Sequence, residues 1–303
     1  EFRRVLFRSR EGTKMSIKNA FLSILLICML VSFVSAAGDK WKVSYGGKEK
    51  WADLNSSGFS ISSLRFGDFN GDKKTDVFRT NGKDWFISYG GSGKWTRLNS
   101  SGYGIENIAF GDFNGDGKTD IFRSDGKKWY VSWNGTKPWE QFNTSQFTVA
   151  VLGFGDFDGD RKTDIFRASS GNWKVVYAGK GKWQDLNTSG FKVDQLRYGD
   201  FNGDKKTDVF RANGKAWFIS YGGKGKWQKL KSSGYSLDNI ALGDFNGDGK
   251  TDIFRTDGKK WYISYNGTKP WQPFNTSQFR VQVLGFGDFN GDGKTDIFRT
   301  TKK

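Results

Sequence analysis

Six short stretches of the chain carry oxygen-bearing side chains at alternate positions of a tight loop. In the first, residues 68–76, Asp68, Asn70, Asp72 and Asp76 occupy positions 1, 3, 5 and 9. The stretch recurs with its first Asp at 112, 156, 200, 244 and 288, a constant spacing of 44 residues. Three carboxylates within nine residues repel one another unless a cation lies among them. Hard oxygen ligands in this arrangement suit Ca²⁺ better than Mg²⁺, which tends to keep its waters.

These loops predict up to six structural Ca²⁺ ions, with the backbone carbonyl of position 7 as a further ligand. A glycine follows position 3 in every copy, as expected where the backbone must adopt a positive φ. The alternative is a turn rich in Asp and Asn that holds no metal. The predicted ligands are Asp68, Asn70, Asp72, Lys74 and Asp76; Asp112, Asn114, Asp116, Lys118 and Asp120; Asp156, Asp158, Asp160, Lys162 and Asp164; Asp200, Asn202, Asp204, Lys206 and Asp208; Asp244, Asn246, Asp248, Lys250 and Asp252; and Asp288, Asn290, Asp292, Lys294 and Asp296.

The segments between the loops predict short β-strands. One unit has an apolar strand at 64–69, the loop, a strand at 75–80, a tight turn at Asn81-Gly82, a strand at 85–89 and a last strand at 95–98. Asn-Gly between strand-like runs is typical of a hairpin, and no helical periodicity is present. Four short strands per 44 residues match one blade of a β-propeller, so the fold class is all-β with six such blades.

The ends of the repeat region predict how the ring closes. The repeats begin on the third strand of a blade, at 41–45, and stop after the second strand of a blade, at 295–299. If these N-terminal and C-terminal strands pair, they complete a sixth blade and leave no inner edge exposed. Units 132 residues apart also match better than neighbours do: 134–139 recurs as 266–271. We interpret the region as two tandem copies of a three-blade unit.

The stretch Phe66 to Asp72 and its copies resemble the FG-GAP (VCBS-type) repeats of calcium-binding propellers, including integrin α-subunit heads. The accompanying Trp-rich stretches resemble those of fungal propeller lectins of the Psathyrella velutina type. The resemblance covers 64–299 and implies calcium loops and sugar sites repeated around the ring. It also implies seven blades in the lectin, where this chain has six units, so individual sugar contacts are not carried over.

The chain before the repeats is expected to lie outside the propeller. Residues 1–14 precede the first Met and resemble a translated adaptor sequence. Residues 15–37 have a basic start, an apolar run and small residues before Gly38, as in a secretory signal peptide. The apolar run is too short to favour a membrane span. The domains are therefore predicted as 1–14, 15–37 and a single propeller at 38–303, in a secreted protein whose only cysteine, Cys28, is removed with the signal.

The charge balance favours acidic partners. Of 48 basic and 32 acidic residues, 42 and 30 follow residue 37, a net charge of +12. Nineteen of those acids lie in the six loops, where calcium would neutralise them. The remaining surface should attract anionic glycans, although the same charge could serve solubility alone. A specific nucleic-acid role is disfavoured because the chain is predicted to be exported and carries no recognised nucleic-acid module.

Catalysis is not expected. The chain has no histidine, and we find no acid, base or nucleophile grouping that breaks the repeat symmetry at one place. Repetition favours multivalent binding instead, because weak sites on a rigid ring gain avidity for a repetitive ligand. We interpret the protein as a lectin. The alternatives are an adhesion or matrix module that binds protein, and a carbohydrate-active enzyme such as a polysaccharide lyase.

Two sets of tryptophans and one set of arginines have alternative roles. The first Trp of each blade, at the start of a strand, is expected to pack between blades: Trp41, Trp85, Trp129, Trp173, Trp217 and Trp261. The second Trp lies beside a turn and is a candidate platform for sugar rings: Trp51, Trp95, Trp139, Trp183, Trp227 and Trp271. The arginines are expected to stack on neighbouring Trp rings rather than contact a ligand: Arg79, Arg123, Arg167, Arg211, Arg255 and Arg299.

Seven Asn-X-Ser/Thr sequons are candidate glycosylation sites. A glycan at Asn99 or Asn143 would crowd the turns that we predict to bind sugar. The sequons stand at Asn55, Asn99, Asn134, Asn143, Asn187, Asn266 and Asn275.

Overall fold

The computed structural model describes residues 39–169 and 171–301, and in this part every regular element is a β-strand or a three-residue 3₁₀ turn. The expected tail at 1–14 and signal peptide at 15–37 lie outside the described residues. The strands are β1 (Lys40–Ser44), β2 (Ala52–Ser56), β3 (Arg65–Gly67), β4 (Asp76–Thr80), β5 (Asp84–Ser88), β6 (Thr96–Ser100), β7 (Ile108–Gly111), β8 (Asp120–Ser124), β9 (Lys128–Ser132), β10 (Glu140–Thr144), β11 (Gly153–Gly155), β12 (Asp164–Ser169), β13 (Gly171–Val176), β14 (Gln184–Ser189), β15 (Arg197–Gly199), β16 (Asp208–Ala212), β17 (Ala216–Ser220), β18 (Gln228–Ser232), β19 (Ile240–Gly243), β20 (Asp252–Thr256), β21 (Lys260–Ser264), β22 (Gln272–Thr276), β23 (Gly285–Gly287) and β24 (Asp296–Thr300).

The 3₁₀ turns alternate between two places in each repeat. One follows the third strand of a blade, and the other precedes the first strand of the next blade. They are Tyr45–Gly47, Ile61–Ser63, Tyr89–Gly91, Ile105–Asn107, Trp133–Gly135, Val149–Val151, Tyr177–Gly179, Val193–Gln195, Tyr221–Gly223, Leu237–Asn239, Tyr265–Gly267 and Val281–Val283.

The strands form six four-stranded antiparallel sheets arranged as the blades of a propeller. Five sheets use consecutive strands, as in β3-β4-β5-β6, and the sixth has the order β2-β1-β24-β23. In this sixth blade Trp41 faces Thr300 and Ser44 faces Ile297 across the ladder. The predicted six-bladed propeller, closed by the N-terminal and C-terminal strands, is therefore confirmed.

The predicted hairpins form where the sequence places Asn-Gly. The side-chain oxygen of Asn81 accepts hydrogen bonds from the backbone N–H groups of Lys83 (3.0 Å) and Asp84 (2.7 Å). Gly82 has a φ of +86°, a conformation that costs glycine little. These contacts turn β4 back into β5 and fix the register that brings Thr80 opposite Trp85.

The hydrophobic core lies between neighbouring blades. In one cluster Phe78 and Trp85 of one blade pack with Ile108 and Ile121 of the next. The first Trp of every blade is completely buried. Each also meets the second Trp of a neighbouring blade edge-on, with ring centroids 5.3 Å apart for Trp85 and Trp139. The prediction that the first tryptophans pack between blades is confirmed.

Alternating strand direction gives the ring two ends that differ in chemistry. The first strands of neighbouring blades contact one another; β11, for example, contacts β15. The first strands therefore lie towards the centre of the ring. We call the end that carries the predicted metal loops and the turns after the third strands the loop face: 68–76, 112–120, 156–164, 200–208, 244–252 and 288–296, with 45–50, 89–94, 133–138, 177–182, 221–226 and 265–270. The connector face carries the hairpin turns after the second strands and the blade-to-blade segments 57–64, 101–107, 145–152, 190–196, 233–239 and 277–284.

Candidate functional site

The side chains of each loop fold back onto the backbone of the same loop. In the first copy one carboxylate oxygen of Asp68 accepts from Gly71 N–H (2.7 Å) and the other from Lys73 N–H (2.8 Å). Asn70 Oδ1 accepts from Asp72 N–H at 3.0 Å. The backbone reverses at Gly71, whose φ is +81°. Positions 1, 3 and 5 are thereby brought together at one small turn, as the spacing predicted.

Position 9 differs from the other three because it is buried. Asp76 is 0% exposed; its Oδ2 accepts from Phe69 N–H (2.8 Å) and its Oδ1 from Gly90 N–H (2.7 Å). The same pair of contacts recurs in all six copies, and so does the complete burial. Position 9 therefore ties the loop to the turn that follows the third strand.

Burial raises the pKa of these carboxyls in the metal-free protein. For Asp76 the pKa rises to about 6, first because burial disfavours the charged form and further because Asp68 and Asp72 lie close by; the two backbone N–H groups oppose the rise. For Asp164 the pKa rises to about 7 for the same reasons. A buried acid that faces two further carboxylates is a site whose charge a cation would stabilise.

The third loop shows this convergence most clearly, since it has Asp158 where the other copies have Asn. Carboxylate oxygens of Asp156, Asp158 and Asp164 lie within 4.8 Å of one another. Donors that are all hard oxygens, grouped around a glycine-bearing turn, fit calcium in type and spacing. When bound, the ion would supply charge neutralisation to the loop, and the residues at positions 1, 3, 5 and 9 would hold it.

Neighbouring loops are hydrogen-bonded to one another, a feature that the sequence analysis missed. The backbone N–H of Thr163, at position 8 of its loop, donates to the backbone oxygen of Asp112 in the preceding loop (2.6 Å), and Thr163 Oγ1 accepts from Asp112 N–H (2.9 Å). The backbone bond recurs at all six seams, by which we mean the boundaries between neighbouring blades. The loops therefore form a closed ring. A threonine at position 8 of every copy was the available signal.

The glycine before each loop makes this link possible. A Cβ built on Gly111 would lie 2.6 Å from Thr163 Cγ2. The lysine of position 7 crosses the same seam, since a Cβ on Gly71 would lie 3.1 Å from Lys118 Cε. Two features of the repeat, the glycine before position 1 and the lysine at position 7, are therefore explained by packing between loops.

The second tryptophans, predicted as sugar platforms, lie half-buried at the seams between blades. Trp95 meets Trp41 edge-on at 5.3 Å and Phe59 at 5.8 Å, and its Nε1 donates to Ser57 Oγ at 3.3 Å. The guanidinium of Arg79 lies 4.9 Å from the same ring. These contacts occupy much of the ring, and its part in ligand binding stays a prediction.

The arginines stack among aromatic rings, as expected. The guanidinium of Arg79 lies 4.0 Å from the Phe86 ring and 4.3 Å from the Phe59 ring. Burial lowers the pKa of Arg79. In all six arginines the Nε atom is buried without a hydrogen-bond partner, so these side chains serve packing more than ion pairing.

Five of the seven sequon asparagines are occupied by contacts between blades. Asn187 Nδ2 donates to the backbone oxygens of Gly223 (3.0 Å) and Gly225 (3.0 Å) in the next blade. Equivalent bonds come from Asn55, Asn99, Asn143 and Asn275. A glycan on this nitrogen would remove the contact, so these positions are structural in the folded protein.

Three clefts on the connector face occur at consecutive seams, and the sequence analysis did not find them. The widest, about 380 Å³, is lined by Phe191, Asp194, Arg211, Asn213 and Leu237, among others. Two further clefts, of about 190 and 170 Å³, use the equivalent segments of the adjacent seams. Each cleft combines two 3₁₀ turns and the end of a second strand, which lie far apart in sequence, and the lining residues vary between copies.

The described residues contain no helix long and apolar enough to span a bilayer. No curated protein sequence matches the chain. The sequence model of the FG-GAP-like repeat matches it in five overlapping segments, 68–123, 112–166, 156–210, 200–255 and 244–298.

Solved structures share the fold at low identity. A chain of the Photorhabdus luminescens Tc holotoxin pore matches with a TM-score of 0.60 and 15% identity over 88% of this chain, which spans only 14% of that chain. An Agrocybe aegerita lectin matches with a TM-score of 0.55 and 14% identity, covering 86% of this chain and 84% of that chain. A putative TolB from Agrobacterium tumefaciens matches with a TM-score of 0.55 and 9% identity, covering 87% and 98%. At these identities the likeness shows the fold alone.

Proposed function

Because the chain belongs to the family of FG-GAP-like repeat proteins, we propose that it is a secreted, calcium-stabilised propeller that binds carbohydrate at several sites and catalyses no reaction. Export is proposed from the signal-like segment 15–37. Calcium is proposed from the six loops, and carbohydrate from the clefts between blades.

The calcium proposal is supported by position 9 of the loops. Asp76 is completely buried, yet the nearest charged groups that affect it are two further carboxylates, Asp68 and Asp72. Burying an unpaired charge is costly, whereas a divalent ion held by these acids would offset that cost. The ions act on stability in this proposal.

The carbohydrate proposal rests on one observation, the recurrence of the clefts at consecutive seams. The widest cleft has the size of a small-molecule site and combines apolar Leu237 and Phe191 with polar Asp194 and Asn213. A sugar presents hydroxyls to such polar groups and an apolar ring face to such apolar ones. Repeated clefts on one rigid ring would bind a branched or polymeric glycan with avidity. The Agrocybe aegerita lectin, described as recognising non-reducing terminal N-acetylglucosamine, is a further reason to test sugars.

A glycan array in calcium and in chelator tests the proposal. We expect binding to one class of terminal sugar, weakened about tenfold by the double change Asp194→Ala and Asp238→Ala, since a hydrogen bond to a charged group contributes about 1.5–3 kcal/mol. Glu106→Ala is the matched control, because Glu106 is an exposed acid at the same place in another 3₁₀ turn. An array without binding, or equal losses in both variants, would reject the cleft as the sugar site.

Protein binding is the second candidate. Val151 and Val283 are each 47% exposed and stand at equivalent places three blades apart on the connector face. Exposed apolar side chains beside clefts suit a protein partner as well as a sugar. Binding that simple sugars do not inhibit, and that Val151→Ser with Val283→Ser weakens, would favour this candidate.

A further inference from the structure

The turns after the third strands stand directly against the predicted metal loops. Gly90 N–H donates to Asp76 Oδ1 at 2.7 Å. Between two such elements lies a cleft of about 270 Å³, lined by Tyr45, Lys48, Asp292 and Lys294, among others. Loops and turns therefore make one continuous surface, the loop face defined above.

The charge of this surface depends on whether the loops hold metal. The loop face contains 18 basic and 20 acidic side chains, a net charge of −2. Six doubly charged ions would change it to +10. The charge of the connector face would not change on metal binding, because the predicted metal ligands all lie at the other end of the blades.

The basic side chains of the turns face solvent or aromatic rings rather than acids; Lys48, Lys180 and Lys224 lie 5.6, 5.7 and 5.8 Å from a ring centroid. All nine are exposed, and in the described part of the chain none lies within 4.0 Å of a carboxylate oxygen. They are Lys48, Lys50, Lys94, Lys137, Lys180, Lys182, Lys224, Lys226 and Lys269.

Two of the loop lysines form ion pairs with acids that are predicted metal ligands. Lys162 Nζ lies 3.1 Å from Asp160 Oδ2, and Lys294 Nζ lies 3.9 Å from Asp292 Oδ2. Ligation of these carboxylates by a divalent ion would weaken the ion pairs and leave the lysines facing solvent. Metal binding thus neutralises acids and uncovers cations on one surface.

We infer that calcium turns the loop face into a docking surface for an acidic polysaccharide. The inference rests on the calcium part of the proposed function and adds a second glycan surface, opposite the connector-face clefts. Cations repeated at every seam match a polymer with an anionic group on each repeating unit. The aromatic residue that begins each turn, such as half-buried Tyr45 beside Lys48, offers a face to a sugar ring.

The test uses the full chain, dextran sulfate as the acidic polysaccharide and unmodified dextran as the neutral control. Binding is followed by calorimetry in calcium and in chelator, at moderate salt and at a temperature where circular dichroism reports folded protein in both. We expect dextran sulfate to bind about tenfold or more tightly in calcium than in chelator, with affinity falling as salt rises. Unmodified dextran should not bind the loop face.

Two charge-matched variants locate the surface in calcium. The loop-face variant replaces Lys180, Lys182, Lys224 and Lys226 by Gln, and the control replaces Lys127, Lys128, Lys259 and Lys260 on the connector face by Gln. All eight lysines are exposed. The first variant should lose about tenfold or more in affinity for dextran sulfate, and the second should lose much less.

Three results would overturn the inference: equal losses in the two variants, tighter binding in chelator, or tighter binding of single-stranded DNA than of dextran sulfate. Calcium titration of the same protein separates this failure from failure of the proposed calcium sites. Array binding of neutral sugars reports separately on the connector-face clefts, so either glycan surface can fail alone.

Discussion

The two faces of the propeller use the repeat in opposite ways. On the loop face every copy keeps an acid at positions 1, 5 and 9 and a threonine at position 8. On the connector face equivalent cleft positions differ between copies: one position has Lys192, Ser236 and Arg280 in the three clefts, and another has Val151, Gln195 and Asn239. Uniform chemistry is what a shared stabilising element needs, whereas varied chemistry is what separate recognition sites need. The predictions below ask whether stability and recognition divide between the faces in this way.

Removal of calcium should have the largest effect. An ion that binds only the folded state stabilises it by about 2.7 kcal/mol per site at a hundredfold excess over the dissociation constant, and six loops would add such terms. We expect the melting temperature in scanning calorimetry to fall by tens of degrees in chelator. Magnesium in place of calcium is the control and should restore little. A melting temperature that is the same with and without calcium would contradict the stabilising role of the loop face.

The direction in which the melting temperature changes with pH should reverse when calcium is removed. In the metal-free protein burial raises the pKa of Asp76 to about 6 and of Asp164 to about 7, from an ordinary value of 3.8. The folded state then binds the proton more tightly than the unfolded chain. The stabilisation from this proton is complete below about pH 4 and is lost as pH rises to about 7.

In chelator the melting temperature should therefore rise when the pH is lowered from 7.5 to 5. In calcium it should fall over the same range, because protons compete with the metal for the carboxylates. Melting curves at several pH values, with Asp84→Asn as a control acid on the opposite face, measure both slopes. Slopes of the same sign in both conditions would show that the loops do not hold the ion.

A single change at position 9 should have the next largest effect. Asp164→Ala leaves the N–H groups of Phe157 and Ala178 without their acceptors, 2.7 Å away in each case, and removes a predicted ligand. We expect a loss of about 2–5 kcal/mol in the free energy of unfolding, measured with urea in calcium. Asp185→Ala is the control, because the Asp185 side chain is 81% exposed and pairs with Lys174 at the surface, so this substitution should cost less than about 1 kcal/mol. Comparable losses in both variants would remove the distinction between buried loop acids and surface acids.

Substitution of the glycine before a loop should lower the free energy of unfolding by a smaller amount, and it should do so by disturbing the loop of the neighbouring blade. Gly111→Ala brings a Cβ to 2.6 Å from Thr163 Cγ2, so the neighbouring loop must move. Such overpacking costs about 1–3 kcal/mol. Gly190→Ala is the matched control, since nothing lies within 4 Å of a Cβ built there. Gly126→Ala would not serve, because the φ of Gly126 is positive and any side chain there is strained. Urea unfolding of both variants compares them, and a harmless Gly111→Ala would argue against the ring of linked loops.

Changes on the connector face should have the smallest effect on stability. The Asp238 side chain is 87% exposed and lies 3.9 Å from Arg197 Nη2. We expect Asp238→Ala to change the unfolding free energy by less than about 0.5 kcal/mol. A large loss in urea unfolding would mean that this face also carries stability, and would erase the contrast between the faces.

The sequence predicted those features of the fold that repeat along the chain. The Asn81-Gly82 hairpin and the burial of Trp85 follow from local turn chemistry and strand pattern. The sixth blade followed because strands at 41–45 and 295–299 each lacked partners. Contacts between blades could not be predicted in this way. The bond that Asp112 N–H donates to Thr163 Oγ1 joins residues 51 positions apart, and the bond that Asn187 Nδ2 donates to the Gly223 backbone oxygen joins residues 36 positions apart. No local pattern encodes which blade surfaces meet.

Calcium titration by calorimetry tests the central claim most directly, since the claim is that six repeated loops hold stabilising ions. We expect heat that saturates at about six calcium ions per chain, and about five in Asp164→Ala under conditions where that variant is folded. The absence of calcium-dependent heat, or a stoichiometry that Asp164→Ala leaves unchanged, would contradict the account.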